Sequence, residues 1–545
     1  MTMCLMTIGA IAQDALPLWA QELMNKNPEM VDSIRMIQPS EGGCISQTYT
    51  IYYHQPLNHS NLYSPTFPMR ATITVFNDTD VTTAVNHFFI GGYALEDWWL
   101  DDPDLLFKDL QEYPITEIAH RYRGTLIMPE YRYFQFSAPP KCYENLDDLR
   151  SEEAAEDFHN FIKALKKVMK GKWVISGNSK GGNAALLQHA FHPEDGDVFV
   201  PYSAPFFDTY CDTQMQHYWL NNGLNQEIHD KLMTIRRTSI TRKDYIYPIY
   251  HKMMKGYIPS DDEIYARYLA MAAHFGFDEC VSASMKDFYD DLTHNRETLA
   301  RYDIQQEDND TVCAIMLYYG MYRLKNFGSW YSWLKNSKTQ SPPFHRPQKT
   351  MQRPFGVKEN EWWKQGKELA YEYQSKTELG YYDLRFDEIV GEELAPIWNA
   401  EYKKWIGNLR DYNTPMFASC TFDRSLYDHA VSTTKNAIKP IIFIYGEDDP
   451  WTGAAMKDEY INGTNVRKFI LPNQNHFAHF TSNTDKEQCN TICQILDNIL
   501  SVPQGIDDIK VVKEQNCKVL RNGHIYILRN GKMYNTAGIL VSPEN

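Results

Sequence analysis

No stretch of the 545-residue chain beyond its N-terminus approaches the ~20 consecutive apolar residues of a membrane span, so no transmembrane segment is expected. The ten cysteines contain no pair at zinc-ribbon spacing. Basic residues are in deficit: 54 Lys and Arg against 70 Asp and Glu leave a formal net charge of −16. That balance argues against nucleic acid or an anionic membrane surface as the main partner. A solvated acidic surface is its ordinary meaning, and attraction for cationic groups such as peptide N-termini is the sharper one. The charge is not large enough to keep the chain unfolded. Hydrophobic residues are 43% and charged residues 23%, the balance of a globular protein. The length suggests two or three structural units.

The N-terminus reads "MTMCLMTIGAIAQDALPLW". Its short apolar run ends in Ala10-Ile11-Ala12, the pattern of a secretory signal over 1–12, although the usual basic start is missing. The expected location is exported, periplasmic or extracellular. Export makes a few disulfides plausible, and losing Cys4 with the signal would leave an odd number of cysteines. Cys489 and Cys493 lie one helical turn apart on an expected last helix, where a bridge and buried free thiols are both open readings.

Strands are expected at "RATITVF" (70–76), "HFFI" (87–90), "GTLIMPEYR" (124–132), "KWVIS" (172–176) and "DVFVPYSAP" (197–205). Helices are expected at 151–169, with a serine cap, an acidic first turn and a basic last turn, and at "NAALLQHAF" (183–191). This alternation implies an α/β fold, a mostly parallel sheet covered on both faces. From 211 to 436 the chain turns long, polar and helical, and strand–helix alternation returns at "KPIIFIYGEDDP" (439–450). The organisation expected is a core in two parts, 13–210 and 437–500, interrupted by a helical cap over 211–436. In the tail, 507–545, "LRNG" occurs twice, eight residues apart. Asn-Gly is the strongest signal for a two-residue hairpin, so a small β meander is expected.

"WVISGNSKGG" (173–182) runs from a buried strand into Gly177-Asn178-Ser179-Lys180-Gly181, with Gly182 following. Strand, G-x-S-x-G, helix is a nucleophile elbow, in which Ser179 stands above the carboxyl edge of the sheet. A serine needs a base to take its proton and an acid to orient that base. In this fold they follow in the order Asp, His, on later loops. "IIFIYG" is followed by Glu447-Asp448-Asp449, and "RKFILP" by Asn473-Gln474-Asn475-His476. Asp449 is preferred at the loop tip, with Glu447 and Asp448 read as solvated charges. His476 is preferred over His479, which is assigned to packing. As a metal pair these histidines lack a third ligand, so no metal and no cofactor are expected. Oxyanion donors are expected from the backbone of Lys180 and of Gly92 or Tyr93 in "IGGYALEDWW".

"PEYRYFQFSAP" (129–139), "WVISGNSKGGNAALLQHAFHPEDGDVFVPYSAPF" (173–206), "YQSKTELGYYDL" (373–384), "GEDDPWTGA" (446–454) and "NQNHFAH" (473–479) together resemble secreted bacterial serine peptidases of the tripeptidyl-aminopeptidase type. These are relatives of lysosomal prolyl carboxypeptidase and dipeptidyl peptidase II. The resemblance covers roughly residues 40–500. It implies an α/β-hydrolase core with a helical cap, and a triad of Ser179, Asp449 and His476. It also implies oligopeptide substrates losing short N-terminal peptides through an acyl-enzyme. Lys376 stands where the lysosomal relatives carry cysteine, which puts that cap disulfide in doubt. The tail lies outside the family pattern. An aminopeptidase needs a carboxylate for the substrate ammonium; the candidates are Glu130, Glu96, Asp97 and Glu378, with a structural pairing to Arg132 or Arg123 as the other reading of Glu130. An esterase or lipase on the same scaffold, or a non-catalytic exported binding protein, are the rival functions.

Overall fold

The computed structural model describes residues 16–37, 46–95, 114–140, 142, 146–221, 226–255, 260–274, 309–323, 370–382, 395–396, 420–481 and 485–500, and three strands between 517 and 535. The expected signal at 1–12 lies outside the described residues. α1 (Leu18–Lys26) leads into β1 (Val31–Ile37), β2 (Ser46–Pro56) and β3 (Thr66–Phe76). Then come β4 (Asn86–Ile90), α2 (Glu117–Tyr122), β5 (Thr125–Pro129), α3 (Ser151–Lys166), β6 (Trp173–Asn178), α4 (Lys180–Phe191) and β7 (Val198–Tyr202). The stretch assigned to a cap contributes β8 (Tyr210–Asp212), α5 (Gln214–Asn221), α6 (Gln226–Thr241), α7 (Lys243–Met254), α8 (Asp261–His274), α9 (Asn309–Arg323), β9 (Tyr381–Tyr382) and α10 (Ser425–Lys435). β10 (Ile441–Gly446), β11 (Val466–Leu471) and α11 (Lys486–Leu500) follow, then β12 (Cys517–Arg521), β13 (His524–Arg529) and β14 (Lys532–Asn535).

Nine strands form one sheet in the order β1-β2-β3-β5-β4-β6-β7-β10-β11. From β5 to β11 the neighbours run parallel. β1, β2 and β3 add an antiparallel edge. Period-two alternation sends Ile175, Phe199, Ile441, Phe443 and Tyr445 to one face, where Phe158, Phe161 and Leu165 of α3 and Ala184 to Leu186 of α4 meet them. Val174, Val198, Val200, Ile442 and Ile444 point to the other face, against Ile118 of α2 and Ile492, Leu496 and Leu500 of α11. Strands buried on both sides cannot show polar alternation, which is why they read as continuous apolar runs. Such a sheet, wrapped by helices on both faces and carrying a serine elbow, is an α/β-hydrolase core.

Several local expectations shift. β3 begins four residues before "RATITVF", and α4 begins directly at Lys180. Ser151 is not the cap of α3: Arg150 occupies that position, and the Ser151 N–H and hydroxyl both donate to Glu378 Oε1, at 2.9 and 2.7 Å. A carboxylate distant in sequence therefore satisfies the helix terminus. α10, placed at the end of the cap by its position in the sequence, packs Ala430 in a cluster with Leu187 and Ala190 of α4. Cys489 and Cys493 are free thiols, and Cys489 belongs to the apolar stripe of α11. In the tail, Arg521 pairs with His524 and Arg529 with Lys532, so each Asn-Gly sits between paired strand ends.

Candidate active site

β6 delivers Ser179 at φ 60° and ψ −125°, a backbone conformation that is strained for any residue with a side chain. The surroundings hold it there. The Ser179 N–H donates to the Tyr202 carbonyl at the end of β7 (3.0 Å), and the Asn183 N–H to the Ser179 carbonyl (3.0 Å). A Cβ at Gly177 would lie 2.2 Å from the Gly181 carbonyl oxygen, and one at Gly181 would lie 1.9 Å from that of Ile90. Only glycine permits so tight a strand-to-helix turn. Ser179 stays partly exposed at the N-terminus of α4, where helix amides favour negative charge.

The parallel register of β10 and β11 aligns Gly446 with Leu471, so the loops after both strands leave the same sheet edge. The Asp448 N–H donates to the Gln474 carbonyl (2.8 Å) and stitches the two loops together. Asp449 is fully buried. Its Oδ1 accepts from the Trp451 N–H (3.0 Å), and its Oδ2 lies 2.8 Å from His476 Nδ1. His476 is itself buried. Asp449 and His476 are thus brought together, while Ser179 stands at the same edge after β6, with only β7 between β6 and β10. Glu447 accepts from the Asn473 N–H (3.1 Å). Asp448, expected to be solvated, is instead 3% exposed, because the stitched loops close over it. The His479 ring bonds the Phe477 carbonyl (2.8 Å), and its N–H donates to Gln474 Oε1 (2.7 Å); it braces the loop.

Gly92 has φ +77°, and a Cβ there would meet Gly181 N at 2.7 Å. The loop carrying Gly92 and Tyr93 therefore lies directly on the start of α4. The Lys180 side chain turns inward and is 2% exposed. Its Nζ donates to the Gly92 carbonyl (2.6 Å) and lies 3.3 Å from the Tyr131 ring centroid, with Phe134 and Tyr93 beyond. Burial pushes its pKa well below the usual lysine range, with Glu378 acting in the opposite direction. This side chain ties together the two segments expected to supply oxyanion donors. Sequence reading missed this role, because the aromatic faces that receive the ammonium come from loops remote in the chain.

The carboxylates proposed for the substrate terminus differ. Glu130 is fully buried and bound to Arg70 by two bonds, Nη2 to Oε1 at 2.7 Å and Nε to Oε2 at 3.1 Å. It also accepts from the Leu95 and Ser137 N–H groups. Its partner is Arg70, neither Arg132 nor Arg123, and these bonds use up the carboxylate; the substrate role is corrected to a structural one. Arg132 pairs instead with Asp157. Glu378 accepts from Gln374 Nε2 (3.1 Å) as well as from Ser151, and burial raises its pKa. It borders a cavity of about 410 Å³ lined also by Arg150, Glu152, Tyr373, Asp423 and His429. Glu96 and Asp97 lie outside the described residues.

Glu117 of α2 is a further residue that no motif signalled. Its Oε2 accepts from the Phe480 N–H (3.0 Å), the Thr481 N–H (3.2 Å) and the Thr481 hydroxyl (3.1 Å), anchoring the chain just beyond His476. Burial raises its pKa to about 8, against the lowering effect of these bonds. The folded chain thus holds a proton that the unfolded chain releases above about 4.5. The stability from this group is fully present below that pH and is lost as pH rises through about 8. Glu117→Gln should therefore gain thermal stability relative to wild type between pH 5 and 9. Melting curves of both proteins at pH 5, 7 and 9 check this; a constant difference in Tm would contradict it.

Among the described residues no helix is long and apolar enough to cross a membrane. Residues 38–258 match the family model described as PS-10 peptidase S37. The prolyl tri/tetrapeptidyl aminopeptidase of Streptomyces mobaraensis is 29% identical over 258 residues, which are 46% of this chain and 49% of that protein. The match therefore spans about half the length of this curated relative. Among solved structures, a proline iminopeptidase of Mycobacterium smegmatis is 11% identical, with a TM-score of 0.33, over 86% of this chain and 99% of that one. A peroxisomal alpha-beta-hydrolase of Saccharomyces cerevisiae is 9% identical, with a TM-score of 0.33, over 88% and 92%. The match over 38–258 covers the segment that holds the strained serine turn and the Gly92 loop, and over that segment the chain is similar to the S37 family of serine peptidases.

Proposed function

We propose that the protein is an exported serine exopeptidase that releases short N-terminal peptides from oligopeptides through an acyl-enzyme, with Ser179, His476 and Asp449 as its triad. The observation that carries this reading is the buried 2.8 Å contact between His476 Nδ1 and Asp449 Oδ2, at the sheet edge where the strained Ser179 emerges. Asp449 holds the proton of His476 on Nδ1, which leaves Nε2 to take the serine proton. The Ser179 oxygen then adds to the scissile carbonyl, and the oxyanion is received by the N–H groups of Lys180 and of Gly92 or Tyr93. Each such donor is worth roughly 3–4 kcal/mol in the barrier. His476 returns the proton to the leaving amine, and water repeats the sequence on the acyl-enzyme.

The segment 211–436 serves as a cap that admits short peptides and excludes folded ones. Trp451, next to His476 at 6.1 Å between ring centroids, gathers Phe207, Tyr381 and Tyr382. That aromatic group suits an apolar ring such as proline, the residue named for the Streptomyces relative. Of the candidate carboxylates, Glu378 is the one that borders a cavity, together with Glu152 and Asp423; it is our candidate for the substrate ammonium, with Ser151 and Gln374 already donating to its Oε1.

Fluorogenic tripeptides with free and acetylated N-termini, with and without proline before the scissile bond, test the reading. Free tripeptides should be cleaved with kcat/KM at least about a hundredfold above their acetylated forms, the worth of one charge-assisted hydrogen bond in a buried site. Equal cleavage of both forms would refute the exopeptidase assignment, and turnover of simple esters alone would favour the esterase alternative.

A further inference from the structure

The residue after the nucleophile carries a side chain that stability does not explain. Lys180 opens α4, and its side chain is buried. Taking an amine out of water is costly unless a counter-charge meets it, and among the described residues no carboxylate bonds its Nζ. What it meets is the Gly92 carbonyl, at 2.6 Å, and the face of Tyr131, 3.3 Å from the ring centroid. A methionine would fill the same aromatic surroundings without that cost.

The Gly92 carbonyl belongs to the Gly92–Tyr93 peptide group. A trans peptide is planar, with its C=O and N–H directed to opposite sides, and no described peptide bond is cis. The Gly92 oxygen is drawn to the buried amine, so the Tyr93 N–H is directed away from it. We propose, resting on the serine peptidase reading, that the Lys180 side chain is a positioning residue: by holding the Gly92 carbonyl it aims the Tyr93 N–H at the oxyanion formed when Ser179 attacks. Of Gly92 and Tyr93, Tyr93 is then the second oxyanion donor. One residue governs both donors, the first through its backbone N–H and the second through its side chain.

Other contacts place the rest of the loop. The Tyr131 N–H donates to the Tyr93 carbonyl (3.0 Å), the Leu95 N–H to Glu130 Oε1 (3.0 Å), and Arg70 Nη2 to the Leu95 carbonyl (3.3 Å). Tyr131 is itself held by Gln374 Nε2, which donates to its hydroxyl (3.4 Å). Gly92, at φ +77°, lies against the start of α4. None of these contacts fixes the rotation of the Gly92–Tyr93 plane. Glycine leaves that rotation soft, because no Cβ restricts the torsions beside it. The Lys180 bond is the contact that stops it. The loop should therefore keep its place without the amine, while the donor loses its aim.

The test compares the full chain with Lys180→Met, which keeps the backbone N–H and removes the side-chain donor. A whole oxyanion donor is worth roughly 10²–10³ in kcat, and this change removes only its aim. On a cleavable tripeptide kcat should fall by about tenfold or more, with KM within about twofold, because the donor acts in the transition state. Tm should stay within a few degrees, since the lost hydrogen bond is offset by the lost burial of an amine. A peptidyl trifluoromethyl ketone labelled with carbon-13 at its carbonyl reads the site directly. Ser179 Oγ adds to that carbon, the hydroxyl proton passes to His476, and the ketone oxygen becomes a bound hemiketal oxyanion. Followed by its carbon shift, the hemiketal should titrate about one pH unit or more higher in Lys180→Met than in wild type. Lys180→Leu carries the same comparison should the methionine variant fold poorly. An unchanged hemiketal titration would assign Lys180 to packing and overturn the proposal, whatever happens to kcat. So would a fall in kcat of less than tenfold. A folded wild type that neither cleaves peptides nor forms the adduct would refute the serine peptidase reading, and the proposal with it.

Discussion

Ser179→Ala should lower kcat on a cleavable tripeptide by about a millionfold, the scale seen when a triad serine is removed. It should also abolish labelling by a fluorophosphonate probe, while the melting temperature stays within a few degrees of wild type. In the proposed reaction the hydroxyl itself forms the bond to the carbonyl carbon, so no neighbour can replace it. The fold should tolerate the change because the turn is held by backbone contacts: the Ser179 N–H to Tyr202, the Asn183 N–H to Ser179, and the close approach at Gly177 and Gly181. Retained labelling in Ser179→Ala would place the nucleophile elsewhere. A folded wild type that never labels would favour a binding protein on a silent hydrolase scaffold.

Asp449→Asn is expected to cost about ten-thousandfold in kcat, with KM little changed. The argument is about a tautomer. Asp449 accepts at both oxygens, from Trp451 on one side and His476 on the other. An asparagine would keep its oxygen on the Trp451 N–H and turn its amide toward His476 Nδ1. That amide donates, so the imidazole must accept at Nδ1 and carry its proton on Nε2. A ring in that state cannot take the proton of Ser179, and the imidazolium formed during attack loses its counter-charge. Because Asp449 is fully buried, water does not restore the balance. Steady-state kinetics with a parallel rate of fluorophosphonate labelling measures the effect. A fall of less than tenfold would remove Asp449 from the reaction and bring Asp448 forward.

Much of the core was legible before any coordinates. β6, β7 and β10 are short apolar runs closed by polar or glycine signals, and the α3 pattern shows its charges at both ends. β1 and β2 were missed. They are antiparallel edge strands whose mixed, partly exposed residues carry neither a clean alternation nor an apolar run. Asp449 and His476 were chosen by their order after consecutive strands, and the structure places the two in contact, because a parallel sheet sends such loops to one edge. The carboxylates were harder. Glu130 sits in the motif "PEYR", and only the sheet shows that Arg70, across the β3–β5 pairing, takes it. Glu378 reads as a ligand-binding residue in the sequence, and in the structure it terminates α3 as well.

The core strands β3 to β7, β10 and β11, the tight serine turn and the loop positions of the candidate acid and histidine were legible in the chain itself. Each rests on local chemistry: side-chain period, glycine's missing Cβ, and loop position after a strand. Which carboxylate is consumed by an arginine and which lysine becomes a buried strut between two loops were settled by folding alone. Those pairings join segments tens of residues apart, and no local pattern encodes a partner at that distance.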